Sequence, residues 1–291
     1  MARGGVADKG LLVAHTRPCR RGHAGTHVGS SGEVACDRMR AWPSLLVHPV
    51  LAVSLALLLG CSQRPRTAVP AESPTEPPTE RSSDGLASVH PGINDRYFQP
   101  DAVQVWTDTL EAERREVIAA RDEIVAALEL TPGITVADIG AGTGAFLAAL
   151  SGGVGASGRL LAVELVPEFA AHLRDRAAAE GLTNVQIVMA SATDVGLEPD
   201  SVDLMFMCDV YHHIEYPKVY LPTLFRALRP GGQLVIVEFD RIPGKTSARM
   251  MKHVRQDQAT LTAEVTAAGF VLDREIEQVP LDENYMLVFR K

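Results

Sequence analysis

An acidic residue, three alternating glycines and a second carboxylate further on form the pattern in this chain best suited to hold a cofactor. Asp138 lies in the apolar run Val136-Ala137-Asp138-Ile139, and Gly140, Gly142 and Gly144 follow at every second position. Glycines so spaced let the backbone turn sharply and approach a ligand with no side chain in the way. Glu164 ends the next apolar run, Arg159-Leu160-Leu161-Ala162-Val163. A carboxylate at a strand tip, about twenty residues beyond a glycine loop, can accept bonds from both hydroxyls of a ribose. The loop alone fits two chemistries. Gly140-x-Gly142-x-x-Ala145 satisfies the dinucleotide fingerprint, in which a free helix N-terminus receives a pyrophosphate. Asp138 gains nothing from that anion, and favours instead a ligand carrying a sulfonium and an ammonium.

A second group of reactive side chains stands in Asp209-Val210-Tyr211-His212-His213-Ile214-Glu215. Imidazole is suited to proton removal near neutral pH, so His212, His213 and Asp209 are the catalytic candidates. The bland alternative is that one histidine caps the next helix or packs beneath a cofactor, and the sequence does not tell His212 from His213. Tyr211 reads as a packing residue, and Asp203 as a residue that stabilises a strand entry. Ser191 and Ala192 follow a third apolar run, with Asp194 three residues after Ser191.

Positioning these groups requires strands that end at one edge. Segments 134–139, 159–164, 185–189, 202–208 and 232–238 are short apolar runs, the pattern of strands covered on both faces. Helical stretches alternate with them at about 143–151, 167–180, 216–228 and 257–268, and Thr109 to Leu130 carries apolar residues at helical spacing. Pro230-Gly231-Gly232 reads as a turn, and 284–290 as a terminal strand. The alternation predicts an α/β fold, a doubly wound, mainly parallel Rossmann-like sheet with helices on both faces. In such a sheet ligands bind beyond the carboxyl ends of the strands, where the loop, Glu164, Ser191 and Asp209 converge.

Taken together, these motifs resemble the class I methyltransferases that use S-adenosyl-L-methionine, over residues 93–291, with the ubiquinone/menaquinone C-methyltransferases as the most similar branch. The resemblance implies a seven-stranded sheet whose last strand inserts antiparallel. It implies S-adenosyl-L-methionine as cofactor, held by Asp138, Gly140, Ala141, Gly142, Gly144, Glu164, Leu165, Ser191, Ala192 and Asp209. It also implies a small or lipid-like methyl acceptor facing the tip that carries His212 and His213. Members often place an acidic residue at the end of the third strand, near the adenine; here Ser191 stands there, so either Ser191 substitutes or Asp194 reaches. Tyr97-Phe98-Gln99-Pro100 with Trp106 forms either a lid over the substrate or an ordinary core contact. The paired cysteines of arsenite methyltransferases are absent.

Composition fits one enzyme domain behind a leader. The first 88 residues hold ten basic and seven acidic side chains, so a net charge of -8 leaves about -11 on the rest. An acidic domain with no Lys/Arg stripe argues against a nucleic-acid substrate. Of 4 cysteines only Cys208 falls in the domain, so neither a disulfide nor a metal-ligand cluster is expected. Residues 50–59 form an apolar run too short to span a bilayer and suited to a signal-peptide core. Leu58-Leu59-Gly60-Cys61 looks like a bacterial lipobox, which makes Cys61 the lipidated mature N-terminus. The expected organisation is a doubtful leader (1–38), a signal peptide (39–61), a Pro/Ser/Thr/Glu tether (62–88) and a methyltransferase domain (89–291). The expected location is a membrane-anchored lipoprotein facing the periplasm, with a cytoplasmic enzyme as the alternative. Two other functions remain in play: a non-catalytic nucleoside-binding lipoprotein, and an NAD-dependent oxidoreductase.

Overall fold

The structure, a computed structural model, describes residues 86–291; the expectations for the leader, the signal peptide, Cys61 and nearly all of the tether lie outside the described residues. Seven strands form one sheet in the order β3-β2-β1-β4-β5-β7-β6. They are β1 (Thr135–Ile139), β2 (Arg159–Glu164), β3 (Val185–Met189), β4 (Val202–Cys208), β5 (Leu228–Phe239), β6 (Val271–Glu275) and β7 (Asn284–Arg290). The first five run parallel, while β7 inserts antiparallel between β5 and β6. The chain order reverses between β1 and β4, and that switch point opens a crevice at their carboxyl ends.

Side-chain alternation sorts the core into two layers. Ala137, Met205, Met207, Leu234 and Ile236 face one side, against Leu221 and Leu224 of helix α6 (Pro217–Ala227) and Leu261 of α8 (Gln258–Ala267). Val136, Leu204, Phe206, Val235 and Val237 face the other. There they meet Ile124 of α3 (Arg121–Ala127), Leu147 and Leu150 of α4 (Leu147–Val154), and Leu173 of α5 (Pro167–Ala179). α5 starts with proline in its first turn, where the missing N–H costs nothing.

Four local departures from the periodicity have physical causes. The helix expected from 143 starts at Leu147, because Gly144 has φ +88° and cannot be helical. The single helix expected over 109–130 is α1 (Ala102–Leu110), α2 (Glu116–Ala119) and α3. Arg115 breaks it with extended backbone (φ -81°, ψ 126°), sending its guanidinium to the Leu110 carbonyl and to Asp209. The Pro-Gly-Gly turn is a bulge inside β5: Val202 pairs with Leu228 and Leu204 with Gln233, leaving the turn as extra length on β5. Finally, β6 and α7 (Ala248–His253) have no counterpart in the sequence pattern; every residue of β6 is exposed, so it shows no buried face to betray it. Among the described residues no helix is long and apolar enough to cross a membrane.

Candidate functional site

The three glycines of the loop have three different reasons to be glycine. All have positive φ, at +71°, +55° and +88° for Gly140, Gly142 and Gly144. A Cβ on Gly140 would sit 2.7 Å from Cγ1 of Val210, so this residue lets the β1 and β4 tips approach each other. A Cβ on Gly144 would meet Leu173 at 2.9 Å, so this one lets the loop pack on α5. A Cβ on Gly142 would have the Gly140 carbonyl at 3.8 Å as its nearest neighbour. Gly142 alone keeps open space, and it lines the cavity at the switch point. Gly144, expected at the ligand, is not among the lining residues; its job is packing.

Glu164 holds that loop in place. Its Oε2 accepts the Gly142 N–H at 2.8 Å, and its Oε1 accepts those of Leu165 and Val166 at 2.8 and 2.9 Å. A carboxylate offers about four acceptor positions, so roughly one remains for a ligand hydroxyl. Burial raises the Glu164 pKa and the backbone donors oppose the rise. Asp138 is 4% exposed, and among the described residues no protein group hydrogen-bonds its carboxyl, which lines the same cavity. Burial and then the Glu164 charge push its pKa up to about 7. A buried carboxyl with no donor partner and a neighbouring negative charge is stabilised by an incoming cation.

On the far side of the cavity, Asp209 has φ +54° at the tip of β4. Its Oδ2 takes the Arg115 guanidinium at 2.6 Å and its Oδ1 the Asn284 amide at 2.6 Å. Burial raises its pKa to about 6, against the pull of Arg115. Asp209 lines the cavity, and with Arg115 on Oδ2 and Asn284 on Oδ1 it also fixes the β4 tip. The two histidines separate. His213 lines the cavity; its Nδ1 meets Asn94 Oδ1 at 3.1 Å, and burial first, then neighbouring histidines, hold its pKa well below the usual imidazole range. His212 is 2% exposed and lies behind the wall, its Nδ1 2.8 Å from Oε1 of the fully buried Glu238. It does not line the cavity, because Glu238 also accepts its backbone N–H at 3.0 Å and draws it into the sheet.

The remaining expectations divide in the same way. Ala141, Leu165, Ser191 and Ala192 all line the cavity. Ser191 Oγ accepts the Asp194 N–H at 3.0 Å and so shapes the turn after β3, while Asp194 Oδ1 accepts the Gly196 N–H at 2.9 Å and Asp194 is not among the lining residues. Tyr211 is a packing residue that donates its hydroxyl to Glu264 at 2.6 Å. Asp203 accepts the Thr135 N–H at 2.8 Å and ties two strand entries together. Of the aromatic segment, Tyr97 reaches the cavity, stacked with Trp106 at 5.0 Å between ring centres, whereas Phe98 is 49% exposed. Sequence reasoning missed Asn94, Arg115, Glu238 and His253. None of them interrupts a pattern; Arg115, for one, lies among the charged residues of 111–116.

Residues 137–236 match the family model described as a methyltransferase domain. The stretch starts in β1 and ends in β5, so it spans every parallel strand. Among curated relatives, the ubiquinone/menaquinone biosynthesis C-methyltransferase of Hydrogenovibrio crunogenus is 29% identical over 120 residues, 40% of this chain and 47% of that one. The arsenite methyltransferase of Halobacterium salinarum is 31% identical over 147 residues, 50% of this chain and 36% of that one. The chain spans between about a quarter and a half of the length of the curated relatives it matches. Among solved structures, a SAM-dependent methyltransferase from Aquifex aeolicus superposes with a TM-score of 0.57 at 23% identity, covering 66% of this chain and 98% of that one. The fold is therefore the Rossmann-like methyltransferase fold, as the order of the sheet requires.

Proposed function

We propose that this protein transfers a methyl group from S-adenosyl-L-methionine to a small or lipid-like acceptor. The observation that carries the proposal is the unpartnered carboxyl of Asp138 beside the open Gly142 in one cavity with Glu164. An anionic pocket floor suits a cationic methionyl group and opposes a pyrophosphate. This favours the methyltransferase over the NAD-dependent oxidoreductase.

When bound, the cofactor supplies an already activated methyl on sulfur, so the protein has mainly to position. Glu164 and Ser191 would hold the nucleoside end, and Asp138 the methionyl end. Tyr97 and His213 wall the space opposite. His213 faces the acceptor space as a neutral ring, its Nδ1–H directed to Asn94. Arg115 and Asn284 position that wall by holding Asp209.

The acceptor class rests on the acidity of the domain and on Leu110, Val117, Ile118 and Ile214, apolar residues that line the same cavity. The ubiquinone/menaquinone C-methyltransferase relative fits a lipid-like acceptor. The arsenite methyltransferase relative supports metalloid methylation less well, since Cys208 is the only described cysteine and its thiol pKa is raised strongly by burial. Membrane attachment through Cys61 belongs to the same proposal and rests on the residues Leu58–Cys61 alone; an unmodified Cys61 in the mass of the native protein would dismiss it.

Calorimetric titration of the full chain with S-adenosylmethionine, S-adenosylhomocysteine and NADH tests the cofactor. The expected result is micromolar binding of both sulfur ligands and none of NADH. Binding of NADH alone would overturn the proposal. Binding of the sulfur ligands without turnover across an acceptor panel would favour the non-catalytic lipoprotein.

A further inference from the structure

Three histidines come together at the acceptor wall, where His213 lines the cavity. His212 and His213 leave the β4 tip, and His253 ends α7, forty residues further along the chain. One nitrogen from each lies within 4.8 Å of the others. Ring centres are 4.2 Å apart for His212 and His213, 4.8 Å for His212 and His253, and 5.3 Å for His213 and His253. Three imidazoles packed this closely, none paired with another, need a reason.

Their hydrogen bonds supply one. Metal-binding histidines commonly donate the second ring N–H to a carboxylate or carbonyl, which fixes the tautomer and turns the free lone pair to the metal. His212 places Nδ1 on both oxygens of Glu238, at 2.8 and 3.0 Å. His213 places Nδ1 on Asn94 Oδ1, and the direction of that bond is determined: the Asn94 amide nitrogen is committed to the His213 carbonyl at 2.9 Å, so its oxygen must accept. In both rings Nε2 is left with its lone pair. His212 is buried and His213 and His253 are partly buried, surroundings that favour the neutral imidazole a metal requires. Charges facing the cluster from other elements are mixed. Arg96, Arg249 and His90 oppose a cation, and the buried carboxylate of Glu238 favours one.

We propose that His212, His213 and His253 bind a divalent transition cation of the zinc type, with Glu238 and Asn94 as the groups that orient them. Three imidazoles at about 2.0–2.1 Å from a tetrahedral ion stand a little over 3 Å apart, so the cluster contracts from its present spacing. Side-chain rotation of half-buried His253 at the end of α7 can provide most of that. Three protein ligands leave a fourth position open, and His213 puts it beside the cavity. If the methyltransferase proposal holds, that position takes an oxygen or nitrogen of the acceptor. The site itself does not depend on that proposal.

The test is titration of the untagged full chain, stripped with chelator, with Co²⁺ followed by visible absorption and with Zn²⁺ in competition. One Co²⁺ per chain is expected at micromolar concentration with the spectrum of a four-coordinate ion. His253→Ala should weaken it at least about tenfold, and Glu238→Gln by about 10–100-fold. His172→Ala, outside the cluster, should leave it unchanged, as should the histidines in residues 1–85, which all these proteins share. No uptake by folded chain, or uptake indifferent to His253→Ala, overturns the proposal. Should His253→Ala fail to fold, X-ray absorption of the native Co²⁺ form decides, three imidazoles supporting the site and two or fewer refuting it. Metal binding without S-adenosylmethionine binding would leave this site standing while the methyltransferase proposal fell.

Discussion

Glu164 and Glu238 are both buried carboxylates at strand ends, yet they organise their surroundings in opposite ways. Glu164 is spent on backbone: it collects three N–H groups from its own exit and from the glycine loop one strand away. Glu238 is spent on His212, taking both the ring nitrogen and the backbone N–H, and on the N–H of Phe239. The cofactor side of the cavity is thus a backbone cradle, in which most side chains are absent by design. The acceptor side is a side-chain mosaic drawn from residues 94, 97, 115, 209, 213 and 284. A cradle is insensitive to which neighbours surround it; a mosaic changes whenever one side chain does.

The glycine loop offers the largest way to break this contrast, because its glycines serve different sides. Gly140→Ala puts a methyl 2.7 Å from Val210 at φ +71°. Overpacking and left-handed strain together should cost about 3 kcal/mol, read as a lower denaturant midpoint. Gly142→Ala meets no atom closer than 3.8 Å and should cost only about 1 kcal/mol of strain. It should lose cofactor affinity instead, since its new methyl points into the cavity. Equal loss of stability in the two variants would show that the loop is a single rigid unit rather than three separate solutions.

The two carboxylates sharpen the contrast next. In Glu164→Gln one oxygen becomes a donor facing N–H groups, and bonds to a charged acceptor are each worth about 1.5–3 kcal/mol. S-adenosylmethionine affinity should fall about 10–100-fold by calorimetry. Glu238→Gln should leave that affinity within about twofold, its cost appearing on the His212 side. If both changes weaken the cofactor equally, the sides are coupled through β2, β1, β4 and β5, and the division is wrong.

How much of this was legible follows from the same division. Asp138, the loop and Glu164 lie within one β1-α4-β2 unit, so their spacing in the chain fixes where they meet. Parallel strands likewise announce themselves by apolar runs, though the order in which they pair does not. The acceptor side is assembled across long separations: Asn94 meets His213 over 119 positions and Arg115 meets Asp209 over 94. Such pairs leave no periodic mark. His212 and His213 were visible as a pair, but their division of labour depends on Glu238, and His253 lies in α7, a helix that left no pattern to read. A fully exposed β6 had no pattern to read.

pH separates the sides more gently. Asp138 ionises near 4 in an unfolded chain and at about 7 when folded and unliganded. The native state then binds the extra proton between those values, so this group's contribution to stability falls as pH rises from about 4 to 7. Binding shows the reverse trend: below pH 7 a cationic ligand must displace the proton, and affinity should drop by up to about tenfold per unit. Asp138→Asn should flatten that dependence. An affinity for S-adenosylmethionine that is level from pH 5 to 8 in the native chain would show that Asp138 is not what meets the charge.

The smallest effect is expected at Tyr97, where the two sides touch. Its ring stands 6.2 Å from Phe169, at the start of α5 on the cofactor side, and 5.3 Å from His213 on the other, all between ring centres. Each edge contact of this kind contributes about 0.5–1.5 kcal/mol, so Tyr97→Ala should change a binding constant only about five- to tenfold. Which constant changes is what matters. A rise in the acceptor KM with unchanged cofactor affinity makes Tyr97 part of the mosaic, a lid over the acceptor. A weaker cofactor with unchanged acceptor KM makes it the last side chain of the cradle. Phe98, with half its surface in water, should change neither, and any effect there would mean that the whole segment 95–98 moves on binding.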